Sequence, residues 1–215
     1  MGVFDPARVA LVDAVDGNYL IRGPVPIRSD GSFAYSEISS AAGVDVSAGP
    51  LVVVSLIDCT GEHRMLADEL AAFGLPDQWG ISYWPPYLQP GYDSKKLWGS
   101  CLSEHGVHRP ASLIWWPIEG LADGQDPEDF LGWPGWNFSG LVDCMAGLLG
   151  SRSNVSLYVH CSLGADRTGA AVSGYLMKSK GLTADEALSE ASIQTPAGSP
   201  SPDYVRLVRA YAASL

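Results

Sequence analysis

Positive charge is scarce in this chain: 13 lysines and arginines face 24 aspartates and glutamates in 215 residues, a formal net charge of −11. A mean field of that sign repels polyanions, which argues against non-specific binding to DNA, RNA or anionic membrane and leaves room only for a local basic pocket. Long apolar runs are missing too, and no stretch approaches the length of a bilayer span. Met1 is followed by Gly-Val-Phe-Asp-Pro rather than by a basic segment leading into an apolar core, so no secretory signal is read here. Cysteine is limited to Cys59, Cys101, Cys144 and Cys161, spread through a chain too long to need a disulfide framework. The expected compartment is a reducing cytoplasm. Internal repeats and low-complexity blocks are also lacking.

What is present is a composition of 47% hydrophobic and 17% charged residues, which suits a soluble globular chain able to bury a core. Strand-like and helix-like segments alternate, so the expected fold is α/β, a single domain over 1–215 with a central, mostly parallel sheet flanked by helices. Gly17–Gly23 sets β-type residues between glycines, and Gly49–Asp58 has the continuous Val/Leu/Ile run of a strand covered on both faces. Further strands are expected at Ala111–Ile118 and in VSLYVH, which leads into Cys161. Helical spacing marks Gly61–Phe73, through Met65, Leu66, Leu70 and Phe73, then Asn137–Gly150 and Arg167–Gly181. Thr183 with Glu186 three residues later reads as a capping box that opens another helix, and SPDYVRLVRAYAASL closes the chain as an amphipathic one. Between Pro76 and Pro110 proline, glycine, tryptophan and tyrosine accumulate without periodicity, the mark of a long surface excursion.

The stretch YVHCSLGADRTGAAVSGYLM, Tyr158–Met177, carries the chemistry. A buried strand delivers Cys161, a tight turn runs through Ser162, Leu163, Gly164, Ala165 and Asp166, and a helix begins near Arg167. Backbone N–H groups of the turn and of the helix start can converge on one anion, and their positive field favours a thiolate at Cys161. Arg167 adds a planar fork that can hold two phosphate oxygens at once, which the point charge of a lysine could not do. Thr168 sets a hydroxyl beside the sulfur, His160 can fix the cysteine backbone, and Gly164 permits the sharp turn.

HCSLGADRTG, His160–Gly169, resembles the H-C-x5-R-[ST]-G signature of the protein tyrosine phosphatase superfamily at every defining position. NYLIRGPVP resembles the Y-x-x-R-G-x-x-P strand of such enzymes, and VVVSLID resembles the central strand that follows it. The resemblance is nearest to the dual-specificity and bacterial tyrosine phosphatase-like branch. It implies a hydrolase that dephosphorylates phosphotyrosine in proteins, with phosphoserine or phosphothreonine as further substrates, through a phosphocysteine intermediate and without metal or cofactor. Cys161 is then the nucleophile, and the loop Ser162–Arg167 binds the phosphoryl oxygens. Thr168 assists breakdown of the intermediate, and His160 supports the loop. A phosphoinositide or inositol-polyphosphate phosphatase on the same scaffold is the rival enzyme, and a catalytically silent phospho-binding module is the rival outside catalysis. Because Cys161 and Arg167 have no lysine between them while Asp166 adds negative charge, a singly phosphorylated side chain fits better than a highly phosphorylated inositide.

Such chemistry needs a carboxylic acid to protonate the leaving oxygen. ADGQDP resembles the D-G-x-x-P loop of several dual-specificity phosphatases, which points to Asp123. Glu119, Gly120 and Leu121 intervene after the Pro-Ile pair, so Asp126, Glu119 and Asp129 stay open as alternatives. Cys59, at the end of the neighbouring strand, is either a buried structural cysteine or a reversible disulfide partner for Cys161. The second role is implied by its likeness to a cysteine of phosphoinositide 3-phosphatases. Cys101, His105 and His108 have a spacing that would suit zinc, but no fourth ligand lies near, and a loop composition explains the histidines equally well.

Overall fold

Alternate residues along Leu51–Ser55 send Leu51 and Val53 into one apolar cluster and Val52 and Val54 into another, which is why the run reads as continuously hydrophobic. The computed structural model describes residues 4–58, 61–74, 102–104, 107–109, 111–118, 126, 131, 137–151, 154–194, 196 and 198–215. Its strands are β1 (Ala10–Val15), β2 (Asn18–Gly23), β3 (Leu51–Ser55), β4 (Leu102–Glu104), β5 (Val107–Arg109), β6 (Ala111–Trp115) and β7 (Ser156–His160). The helices are α1 (Tyr35–Ala42), α2 (His63–Ala72), α3 (Phe138–Ser151), α4 (Asp166–Lys180), α5 (Ala184–Ile193) and α6 (Pro202–Ser214), after a short 3-10 turn at Pro6–Arg8.

Five strands form one sheet in the order β1-β2-β7-β3-β6, and all neighbours are parallel except β1 and β2. Helices α3 to α6 cover one face, packing Phe138, Leu141, Tyr175, Leu188 and Leu207 over Leu20, Val54, Leu157 and Val159. Helices α1 and α2 cover the other, where Ile38, Leu66 and Leu70 meet Ile21, Val53, Leu113 and Tyr158. Gly23 and Ser55 both lie in register with His160, so β2, β7 and β3 reach the same level at their C-terminal ends. In open parallel sheets that edge is where a ligand crevice forms.

The expected α/β architecture is present, and the capping box of α5 is formed as read, with Thr183 and Glu186 each satisfying the other's backbone N–H. Two strands end sooner than expected. Beyond Ser55 the chain turns toward α2 as Asp58 and Glu62 exchange side-chain and backbone bonds, and beyond Trp115 the proline at 117 cannot donate to a ladder. Three segments were not anticipated: β1, α1, and the β4–β5 pair within the proline- and tryptophan-rich stretch, most of which lies outside the described residues. No described helix is long and apolar enough to cross a membrane.

Candidate active site at the strand ends

Cys161 follows β7 directly and is only 2% exposed, at the bottom of a tight turn. Gly164 has φ +71°, and a Cβ there would come within 2.5 Å of the Gly23 carbonyl carbon and oxygen, so glycine is needed both for the conformation and for the close approach of β2. Three loop carbonyls are held from outside: Val25 N–H donates to Ser162 O at 3.2 Å, Arg8 Nη1 to Leu163 O at 3.3 Å, and Arg22 Nη2 to Gly164 O at 2.7 Å. In a trans peptide the C=O and the following N–H point oppositely, so fixing these three oxygens outward aims the N–H groups of Leu163, Gly164 and Ala165 at the hollow inside the turn. No side chain caps α4 at Ala165, which leaves its first N–H groups to the same hollow.

Arg167 stands in the first turn of α4. Glu62 holds it in a two-pronged pair, Nη1 to Oε2 at 2.6 Å and Nη2 to Oε1 at 2.7 Å, and Nη1 also donates to Leu56 O at 3.1 Å. Burial opposes ionisation of both partners. The Arg167 fork nevertheless keeps the Glu62 carboxyl below the usual carboxylate range, and Glu62 and the nearby Cys161 raise the guanidinium above its usual value. The fork is thereby fixed in one orientation before any ligand arrives.

His160 lies behind the loop, fully buried, with Nδ1 3.3 Å from Cys161 O and Nε2 2.7 Å from Oε1 of the equally buried Glu69. Ser55 Oγ donates to the other Glu69 oxygen at 2.6 Å, so both carboxylate oxygens are occupied. Thr168 is fully buried and its Oγ1 has no hydrogen-bond partner. Such an orphaned hydroxyl is costly unless something at the site takes it up. Asp166 Oδ1 accepts from Ser201 N–H at 2.6 Å, tying the start of α4 to that of α6. Tyr204 of α6 lies within electrostatic reach of Arg167 and Cys161, and its phenol is pushed well above its usual range chiefly by burial.

Cys161, the loop 162–166, Arg167 and Thr168 thus follow one another from the end of β7 into the start of α4, with His160 behind the loop. Asp123, Glu119, Asp129 and Cys59 lie outside the described residues, as do Cys101 and His105. Asp126 is exposed, and His108 sits in β5 opposite Ser103. Sequence reasoning missed Glu62, Glu69, Arg22 and Tyr204. For Glu69 a signal was available, because it falls on the buried face of α2 with Leu66, Leu70 and Phe73, where a carboxylate needs a partner.

No protein-family model and no curated protein matches the sequence. Solved structures do. The human tyrosine phosphatase-like serine/threonine/tyrosine-interacting protein aligns over 95% of this chain and 97% of its own at 14% identity, with a TM-score of 0.50. PTPMT1 in complex with PI(5)P aligns over 96% and 95% at 10% identity with the same TM-score of 0.50. Tk-PTP in its active form aligns over 97% and 98% at 16% identity, with a TM-score of 0.48. At such identities the likeness is one of fold, and the chain shares the α/β fold of these solved phosphatase and phosphatase-like structures.

Proposed function

We propose that the chain is a cysteine-dependent phosphomonoester hydrolase that acts on phosphotyrosine in proteins. The observation that carries this reading is the turn with three carbonyls held outward around a buried thiol, closed on its other side by an arginine already oriented by Glu62. Such a hollow offers N–H donors and a guanidinium fork to three equatorial oxygens of a phosphoryl group.

The Cys161 thiolate attacks phosphorus, the P–S bond forms as the P–O bond to the leaving group breaks, and a carboxylic acid supplies the proton that the departing oxygen takes. Asp123 is assigned that role from its loop motif. Water, deprotonated by the same carboxylate, then attacks phosphorus. The sulfur leaves as thiolate and inorganic phosphate is released. Thr168, whose hydroxyl has no other partner, is assigned the donation of a hydrogen bond to the sulfur as it leaves, and its unpartnered Oγ1 supports that role.

Leu163, 54% exposed at the lip of the turn, offers an apolar contact to an aromatic ring carrying the phosphate. The second reading, an inositide phosphatase, is favoured by the solved complex of PTPMT1 with PI(5)P. Against it stand the lysine-free loop and the overall charge of −11.

The test is hydrolysis of an aryl phosphate, phosphotyrosine and phosphoserine peptides, and soluble inositides by wild type and Cys161→Ser. Turnover of phosphotyrosine peptide, inhibition by vanadate, indifference to chelators and complete loss in Cys161→Ser are expected. Substantial turnover by the serine variant would refute the mechanism. Preference for the inositides would favour the second reading, and phosphate binding without turnover would make the chain a silent binding module.

A further inference from the structure

Arg22 is a charged residue in the middle of the molecule. Its side chain is completely buried, its Nη1 donates to Ala191 O and its Nη2 to Gly164 O at 2.7 Å, while Nε has no acceptor. A Cβ built on Gly169 would lie 3.5 Å from Nη2, so the guanidinium is wedged between the phosphate-type loop and the first turn of α4. Carbonyls satisfy hydrogen bonds but do not cancel a positive charge, and among the described residues no carboxylate pairs with Arg22. Burial lowers the guanidinium and the nearby Cys161 opposes that fall, leaving it at about 10 and ionised at neutral pH.

Of the other groups near the hollow, Glu62 pairs with Arg167, Glu69 is hydrogen-bonded to His160, and Arg8, which donates to Leu163 O, pairs with Asp5. Asp166 adds a negative charge at the start of α4, while Tyr158 of β7 and Tyr204 of α6 contribute only neutral phenols, both raised by burial above their usual range. A buried cation with no counter-ion is expensive to fold. An anion held inside the loop would relieve that cost.

We propose that Arg22 is a positioning residue of the anion site, the unpaired cation beneath the loop that turns the Gly164 carbonyl outward and supplies the charge balancing the thiolate and the bound phosphate. This rests on reading Cys161 as the nucleophile of a phosphate site. Arg167 grips the ligand from the open side, and Arg22 acts through the loop from the buried side.

Arg22→Gln removes the charge but keeps an N–H donor for Gly164 O, and Arg22→Lys keeps the charge without the fork. Two measurements separate electrostatics from simple packing, and neither needs turnover: the pH profile of Cys161 alkylation by iodoacetamide, followed on its own peptide, and the Kd for inorganic phosphate by calorimetry. In folded Arg22→Gln, alkylation at neutral pH should slow and phosphate should bind more weakly, each by at least about 10-fold, as expected for losing a charge-assisted contact. Arg22→Lys should restore most of both. Unchanged alkylation and phosphate binding in folded Arg22→Gln would overturn the proposal, as would a lysine variant no better than the glutamine one. Failure of both variants to fold assigns Arg22 to the fold alone and overturns it too. If wild type itself binds no phosphate, the reading of the site fails first and the proposal falls with it.

Discussion

Glu69 shows how much one side chain can be asked to carry. It has no access to water, and its two oxygens accept from Ser55 and engage His160, whose ring in turn touches the Cys161 carbonyl. Truncating one member of such a buried pair leaves the other without compensation, a loss on the order of 3–5 kcal/mol. Glu69→Ala should therefore cost roughly that much in denaturant unfolding, whereas Glu69→Gln, which keeps the shape and part of the bonding, should cost less. A Glu69→Ala protein as stable as wild type would remove the pair from the account. At this scale the grouping of Cys161, Arg167 and Thr168 in one turn and helix start could be read from the sequence, because they are neighbours within a few positions. Glu62 and Arg22 were not legible as site residues, and Glu69 only as a buried carboxylate in need of a partner, since α2 and β2 are distant in sequence and meet the loop only in the folded chain.

Elements were legible where pattern and packing agree. The buried strands β3 and β7 and the helices α4 to α6 follow from apolar runs, helical spacing and a cap. β1 was missed although Asp16 and Gly17, both at positive φ between two strands, form the turn that an Asp-Gly pair favours. α1 was missed because YSEISSAA is poor in strong helix formers, and burial of Tyr35, Ile38 and Ala42 against the sheet decides its form. The assignment of the acid to Asp123, in the segment between β6 and α3, is tested by kinetics. Asp123→Asn should cost on the order of 10²–10⁴-fold on a phosphotyrosine peptide. The cost should be far smaller on a substrate whose leaving group needs no proton, and the basic limb of the pH–rate profile should vanish. If Asp126→Asn or Glu119→Gln shows that leaving-group dependence while Asp123→Asn behaves like wild type, the residues after the Pro-Ile pair have shifted the acid.

Across the whole molecule, an acidic chain sets two buried or half-buried arginines beside one thiol, where three strands end and a helix begins. The surplus of negative charge elsewhere makes that hollow the site an anion would seek, and selects for substrates that are not themselves polyanions. The central claim is that Cys161 becomes covalently phosphorylated. Wild type and Asp123→Asn mixed with an aryl phosphate, quenched in acid within the first turnover and digested, should yield the Cys161 peptide heavier by one phosphoryl group, with more of it where breakdown is slowed. A Cys161 peptide that stays unmodified while product accumulates stoichiometrically would contradict the account.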